Sequence, residues 1–147
     1  MPVFFDLSSA DKIISQTESA CLSASGSCAK EPGLSPLFRW METNVPLLYA
    51  NQLIGIIHGD IHASNLVRED GALRYILDWQ RPMLAPLALE QAIALRLAGY
   101  ESEDKDWQNL ASICQILWFA WAYAHVLPIE GVRQSMWKLI SDFSDGL

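Results

Sequence analysis

Hydrophobic and polar positions along the 147 residues change period several times, and each change marks an element. Ser8 or Ser9 is placed to cap a helix running through Asp11, Ile13, Ile14, Thr17 and Cys21, a modest amphipathic pattern with its carboxylate in the favourable first turn. Residues 23–36 are rich in Ser, Gly, Ala and Pro and read as an exposed loop. Pro36 then opens a second helix with Leu37, Phe38, Trp40, Met41, Val45, Leu47 and Leu48 as its apolar positions, ending before Asn51, with Pro46 as a point of kinking or splitting. Residues 53–57 form a short apolar run, expected as a buried strand or extended segment entering a loop at His58. Two more β-prone runs, 66–67 and 73–77, flank Asp70-Gly71, a strong hairpin turn signal because Gly accepts positive φ.

Beyond Trp79, residues 81–86 read as a proline-punctuated loop, and the remainder reads as helix. Leu87–Leu97 carries strong helix formers, a second helix starts near Trp107, and a last amphipathic one spans 132–143 after a break at Gly131. The acidic cluster 101–106 complements the dipole of the middle helix, the sharper alternative being a rim that faces a polycationic ligand. Residues 110–129 lack Lys, Arg, Asp and Glu and are long enough to cross a bilayer. Ser112, Gln115, His125 and Pro128 dilute the run and no basic flank adjoins it, so a buried central helix is expected and no membrane partner. The expectation is one domain over residues 1–147, α+β in class and mainly helical, with one small β-hairpin.

Composition narrows the function. Ten basic against seventeen acidic residues leave a net charge of −7, unsuited to nucleic acid or an anionic membrane surface; ATP then requires a metal or local positive groups. Cys21, Cys28 and Cys114 are odd in number and lack metal-type spacing, as expected of reduced thiols in a cytoplasmic protein. No basic segment followed by a long apolar stretch opens the chain, so no secretory signal is read there.

The chemistry concentrates in residues 58–80. Asp60, Asn65 and Asp78 supply oxygen ligands or acceptors, each beside apolar residues that read as buried. The expected hairpin puts Asn65 at the start of one strand and Asp78 at the end of its partner, so both come to one end of a ladder. Two oxygen ligands with a third carboxylate on the adjoining loop is what Mg²⁺-dependent phosphoryl transfer needs. The metal takes few protein oxygens and keeps positions for water and phosphates, while a carboxylate receives the proton of the attacking hydroxyl.

The run His58-Gly59-Asp60-Ile61-His62-Ala63-Ser64-Asn65, followed by Ile76-Leu77-Asp78-Trp79, resembles the catalytic loop and metal-binding segment of the aminoglycoside phosphotransferase and choline kinase group. That group is related to the protein kinases, with their H-R-D-x-x-x-x-N and D-F-G patterns. The resemblance implies Asp60 as catalytic base, His58 as a brace of the loop, Asn65 and Asp78 as Mg²⁺ ligands, ATP as co-substrate, and a small aminoglycoside- or choline-like hydroxyl compound as acceptor. Family members place an acidic residue after the proline that follows the Asp-Trp pair, where it stabilises the loop. Glu90 is the nearest match, and an exposed helix carboxylate is its plain alternative.

Two other readings stand beside this one. His58, Asp60 and His62 alternate, so in an extended segment they would share a face and could ligate zinc or iron in a hydrolase, a reading that leaves Asn65 and Asp78 without a role. Family kinases also carry an N-terminal lobe with a strand-borne lysine and a phosphate-covering loop. Here 57 residues precede His58, with Lys12 and Lys30 their only lysines and no Gly-rich phosphate loop. The chain is therefore expected to be the C-terminal lobe alone, inactive by itself and served by a separate or missing N-terminal lobe. The alternative is an inactive regulatory or binding remnant.

Overall fold

A computed structural model describes residues 3–25 and 34–147. Its elements, in order, are β1 (Phe5–Asp6), α1 (Ala10–Ser25), α2 (Leu34–Tyr49), β2 (Ile54–Ile57), a 3-10 turn (Ala63–Asn65), β3 (Leu66–Glu69), β4 (Ala72–Ile76), β5 (Met83–Pro86), α3 (Leu87–Leu97), α4 (Lys105–His125) and α5 (Glu130–Asp145). The chain is mainly helical with small sheets.

The core is built on α4, which packs against α1, α3 and α5. Ile13, Thr17 and Cys21 of α1, Leu110, Ile113 and Leu117 of α4, and Met136 and Ile140 of α5 are almost wholly removed from water. The spacing of these positions is the i, i+3/i+4 stripe that puts one face of each helix inward. The apolar run at 110–129 does form this central helix, but the helix stops at His125, with Pro128 in the break before α5. Among the described residues no helix is long and apolar enough to cross a membrane. Asp104 caps α4 by accepting from Trp107 N–H at 3.4 Å, which gives part of the acidic cluster a structural role. Gly131 lies inside the first turn of α5 rather than before it.

The apolar residues flanking Asn65 and Asp78, expected to be buried, are not: Tyr75 is 62% and Leu77 47% exposed, because the β3–β4 hairpin is a two-stranded sheet of its own. Four further expectations differ from the structure. The first helix extends through residues 23–25, expected as loop, because Ala24 and Ser25 continue the buried stripe of Thr17 and Cys21; Cys28 and the rest of that stretch up to residue 33 lie outside the described residues. Pro46 does not split α2, because both it and Glu42, whose carbonyl loses its partner, are on the exposed side of the helix. The 53–57 run is not a buried strand: Leu53 is 75% and Ile56 51% exposed, and only Ile57 is buried. As an edge strand of a small sheet, β2 turns Ile54 and Ile56 outward and Gly55 and Ile57 inward.

The fourth correction concerns residues 83–86, expected as loop. They form the central strand of a three-stranded sheet ordered β1-β5-β2, with β1 parallel and β2 antiparallel to β5. The prolines that signalled a loop frame this strand. Pro82 contributes only its carbonyl, to Phe4 N–H at 2.7 Å, and Pro86 closes the strand opposite Ile54. This sheet is additional to the hairpin, and it draws Phe4 and Phe5 across the chain to the region of His58.

Candidate active site

The β3–β4 hairpin forms where expected. Asp70 and Gly71 have φ of 50° and 76°, the paired positive values of a two-residue turn that matches strand twist. Leu66 pairs with Ile76 and Glu69 with Ala72, with one register shift between Val67 and Arg68. At the open end, Leu77 N–H donates to the Asn65 carbonyl at 2.7 Å, so Asn65 and the start of the 78–79 segment are tied together. Asp78 itself has φ 63°, a left-handed conformation that Asp tolerates better than most residues, and its side chain is exposed.

The loop between β2 and the hairpin is held from three sides. Glu90, in the first turn of α3, accepts from His58 N–H through Oε2 and from Gly59 N–H through Oε1, the latter at 2.9 Å. Two adjacent main-chain donors thus share one carboxylate, and Glu90 takes the loop-stabilising role that the resemblance left loosely aligned. His58, only 2% exposed, accepts from Asp60 N–H at Nδ1 (3.1 Å) and donates from Nε2 to the Leu77 carbonyl (2.7 Å). Those two bonds assign its tautomer. Trp79 packs edge-on to the same ring at 4.7 Å.

Asn65, also buried, donates from Nδ2 to the Asp60 carbonyl at 3.0 Å, and the same nitrogen lies 3.1 Å from His62 Nε2. Because a carbonyl accepts only, the amide orientation is fixed with Oδ1 turned away from these contacts.

The Asp60 carboxylate is the least constrained part of this loop. It is 33% exposed, 3.6 Å from His62 Nε2 and 3.7 Å from Arg81 Nη2, both too long for a hydrogen bond. It lines a cavity of about 100 Å³ together with His58, Gly59, Met83, Ala111, Cys114 and Trp118. Arg81 lies over the Trp118 ring with its guanidinium carbon 3.7 Å from the centroid, and Phe4 and Trp121 flank that ring at 5.9 and 5.6 Å. Burial pushes the Cys114 thiol up to about 12, so it adds no charge to the cavity wall at neutral pH.

The donor set fits a hard cation. Asn65 and Asp78 offer one amide oxygen and one carboxylate, and Mg²⁺ uses one or two such ligands beside phosphates and water. The histidine-rich zinc alternative fares worse, since both ring nitrogens of His58 are engaged within the loop. Among the described residues no three His, Cys, Asp or Glu side chains are grouped to hold a metal.

Arg81, Trp118 and Phe4 were not singled out for the site from sequence. Arg81 stands three residues after Asp78, which was a usable signal; Trp118 sits in an apolar run that gave none. Comparison with known proteins yields one family, described as the Phosphotransferase enzyme family, whose pattern matches residues 12–123. No curated protein and no solved structure matches the chain.

Proposed function

Because this chain belongs to the phosphotransferase enzyme family, we propose that it is the catalytic portion of an ATP- and Mg²⁺-dependent enzyme that phosphorylates a hydroxyl of a small molecule. The observation that carries this reading is the Asp60 carboxylate, free of hydrogen bonds and facing a cavity, on a loop whose backbone is fastened by Glu90, His58 and Asn65. A fastened backbone with a carboxylate that makes no hydrogen bond of its own is what positions an acceptor hydroxyl and takes its proton. His58 braces the loop from Leu77 to Asp60, and Asn65 and Asp78 are the residues that would hold Mg²⁺, which when bound neutralises and orients the phosphates.

A second reading, a binding or regulatory remnant, draws on the lysines. Among the described residues Lys12 is paired with Asp6, Lys138 with Asp142, and Lys105 donates to the Gly146 carbonyl, so none serves a phosphate at this site. We therefore assign the clamping of ATP to a separate nucleotide-binding lobe and expect negligible transfer by the 147 residues alone.

Phosphate transfer from ATP, measured with that lobe present, separates the readings. Asp60→Ala is expected mainly to lower kcat, and Asp78→Ala to weaken metal–nucleotide binding as well as turnover. An assembly inactive toward every hydroxyl acceptor favours the remnant. Strong Asp60-dependent transfer by the chain alone refutes the need for a second lobe.

A further inference from the structure

We infer that the acceptor is a hydroxyl compound whose adjoining body is small, uncharged and apolar, and that Arg81 is the residue that bars cationic acceptors from the cavity. The inference rests on the phosphotransferase reading of Asp60 and adds to it the chemistry of the second substrate.

Size comes first. The cavity beside Asp60 holds about 100 Å³, whereas an apolar protein cavity of about 150 Å³ takes up benzene. A branched group of four or five carbons fits within such a space; the cavity opens to solvent, so a multi-ring body would have to lie outside it. Much of the wall is apolar, with Met83, Ile93, Leu97 and Ala111 among its residues. Of its other polar side chains, His58 has both ring nitrogens engaged, Cys114 stays an uncharged thiol, and Gln115 accepts from Arg96 Nε at 2.8 Å.

Charge decides the rest. Among the described residues of the wall Asp60 is the one carboxylate and Arg81 the one guanidinium, beside the His58 ring whose two nitrogens are engaged within its loop; the two charges face each other at 3.7 Å and offset each other. Among the described residues no second carboxylate lines the wall to receive an ammonium group. The usual substitute is an aromatic face. Here the Trp118 face is occupied by the Arg81 guanidinium at 3.7 Å, and Phe4 and Trp121 against the same ring limit its freedom to turn away. The Phe4 and Phe5 rings, also on the wall, pack edge-on against each other and against Trp121, so an entering cation meets a like charge at the indole face.

Choline and its carbon isostere 3,3-dimethylbutan-1-ol share a shape and differ in charge. Titrated into the 147-residue chain and followed by the Trp118 indole N–H resonance, the neutral alcohol is expected to bind at least about tenfold more tightly than choline. Arg81→Gln frees the Trp118 face and should shift that ratio toward choline by roughly 2- to 30-fold, the range of one cation–π contact. Choline binding as tightly as the alcohol overturns the inference, as does a ratio unchanged in Arg81→Gln, or binding of neither probe by the folded chain. The parent reading is tested apart from this: Mn²⁺ should broaden resonances of the 58–78 segment in wild type and not in Asp78→Ala. Broadening that persists in the variant refutes the metal site while leaving the alcohol-to-choline ratio to judge the cavity.

Discussion

Replacing Glu90 by Ala removes the acceptor of two adjacent backbone N–H groups, those of His58 and Gly59. A hydrogen bond to a charged group contributes about 1.5–3 kcal/mol, so simple addition gives roughly 3–6 kcal/mol. The sum is an upper bound, because Glu90 is only partly buried and water can reach some of the vacated space; about 2–4 kcal/mol is the expected loss. For a domain of this size that lowers Tm by roughly 4–16 °C. Glu90→Gln keeps one acceptor oxygen but turns an NH₂ group toward the second donor, so it should lose about half as much. Urea unfolding followed by tryptophan fluorescence measures the totals, and amide hydrogen exchange locates them: His58 and Gly59 should lose protection before the helical core does. If both variants unfold within about 0.5 kcal/mol of wild type and the two amides exchange as before, the carboxylate does not hold the loop.

Gly59 has φ 78°, and a Cβ there would come within 2.3 Å of Met83 Cε. Gly59→Ala is therefore expected to cost about 1–2 kcal/mol in backbone strain, plus displacement of Met83 into the cavity, read as lower urea stability together with weaker alcohol binding. Asp6 accepts from Lys12 Nζ and from Ser8, which hold its carboxyl down to about 2. Below a pH of about 4 the unfolded chain takes up a proton that the folded one refuses, so the stability Asp6 contributes is present above that pH and lost as pH falls through about 2. The difference in urea midpoint between wild type and Asp6→Asn should shrink across that window, and a difference independent of pH would count against the ion pair.

Much of the site was legible because it is local. Asp70-Gly71 dictates a hairpin through backbone sterics alone, so Asn65 and Asp78 are brought to one end of it whatever surrounds them, and the spacing of Asp60 to Asn65 carries the family likeness. The helix α3 followed from its run of strong helix formers, α4 from its long uncharged apolar run and α5 from its amphipathic period, their ends shifting by a few residues where a cap or Pro128 intervenes.

Other features depend on partners far along the chain. Residues 83–86 are a strand only because Phe5–Asp6 and Ile54–Ile57 lie on either side of them, and a four-residue stretch between prolines has no periodicity that announces such neighbours. Glu90 and an exposed helix carboxylate look alike in sequence; the difference is that α3 starts where its first turn faces the backbone of His58 and Gly59. The cavity is likewise a tertiary product, since Phe4, Asp60, Arg81 and Trp118 come from four separate segments. Local sterics and periodicity let the sequence alone determine the hairpin, the principal helices and the chemical types at the site. Long-range packing, which no short window contains, decided which backbone the carboxylate of Glu90 would hold and which side chains would face Asp60.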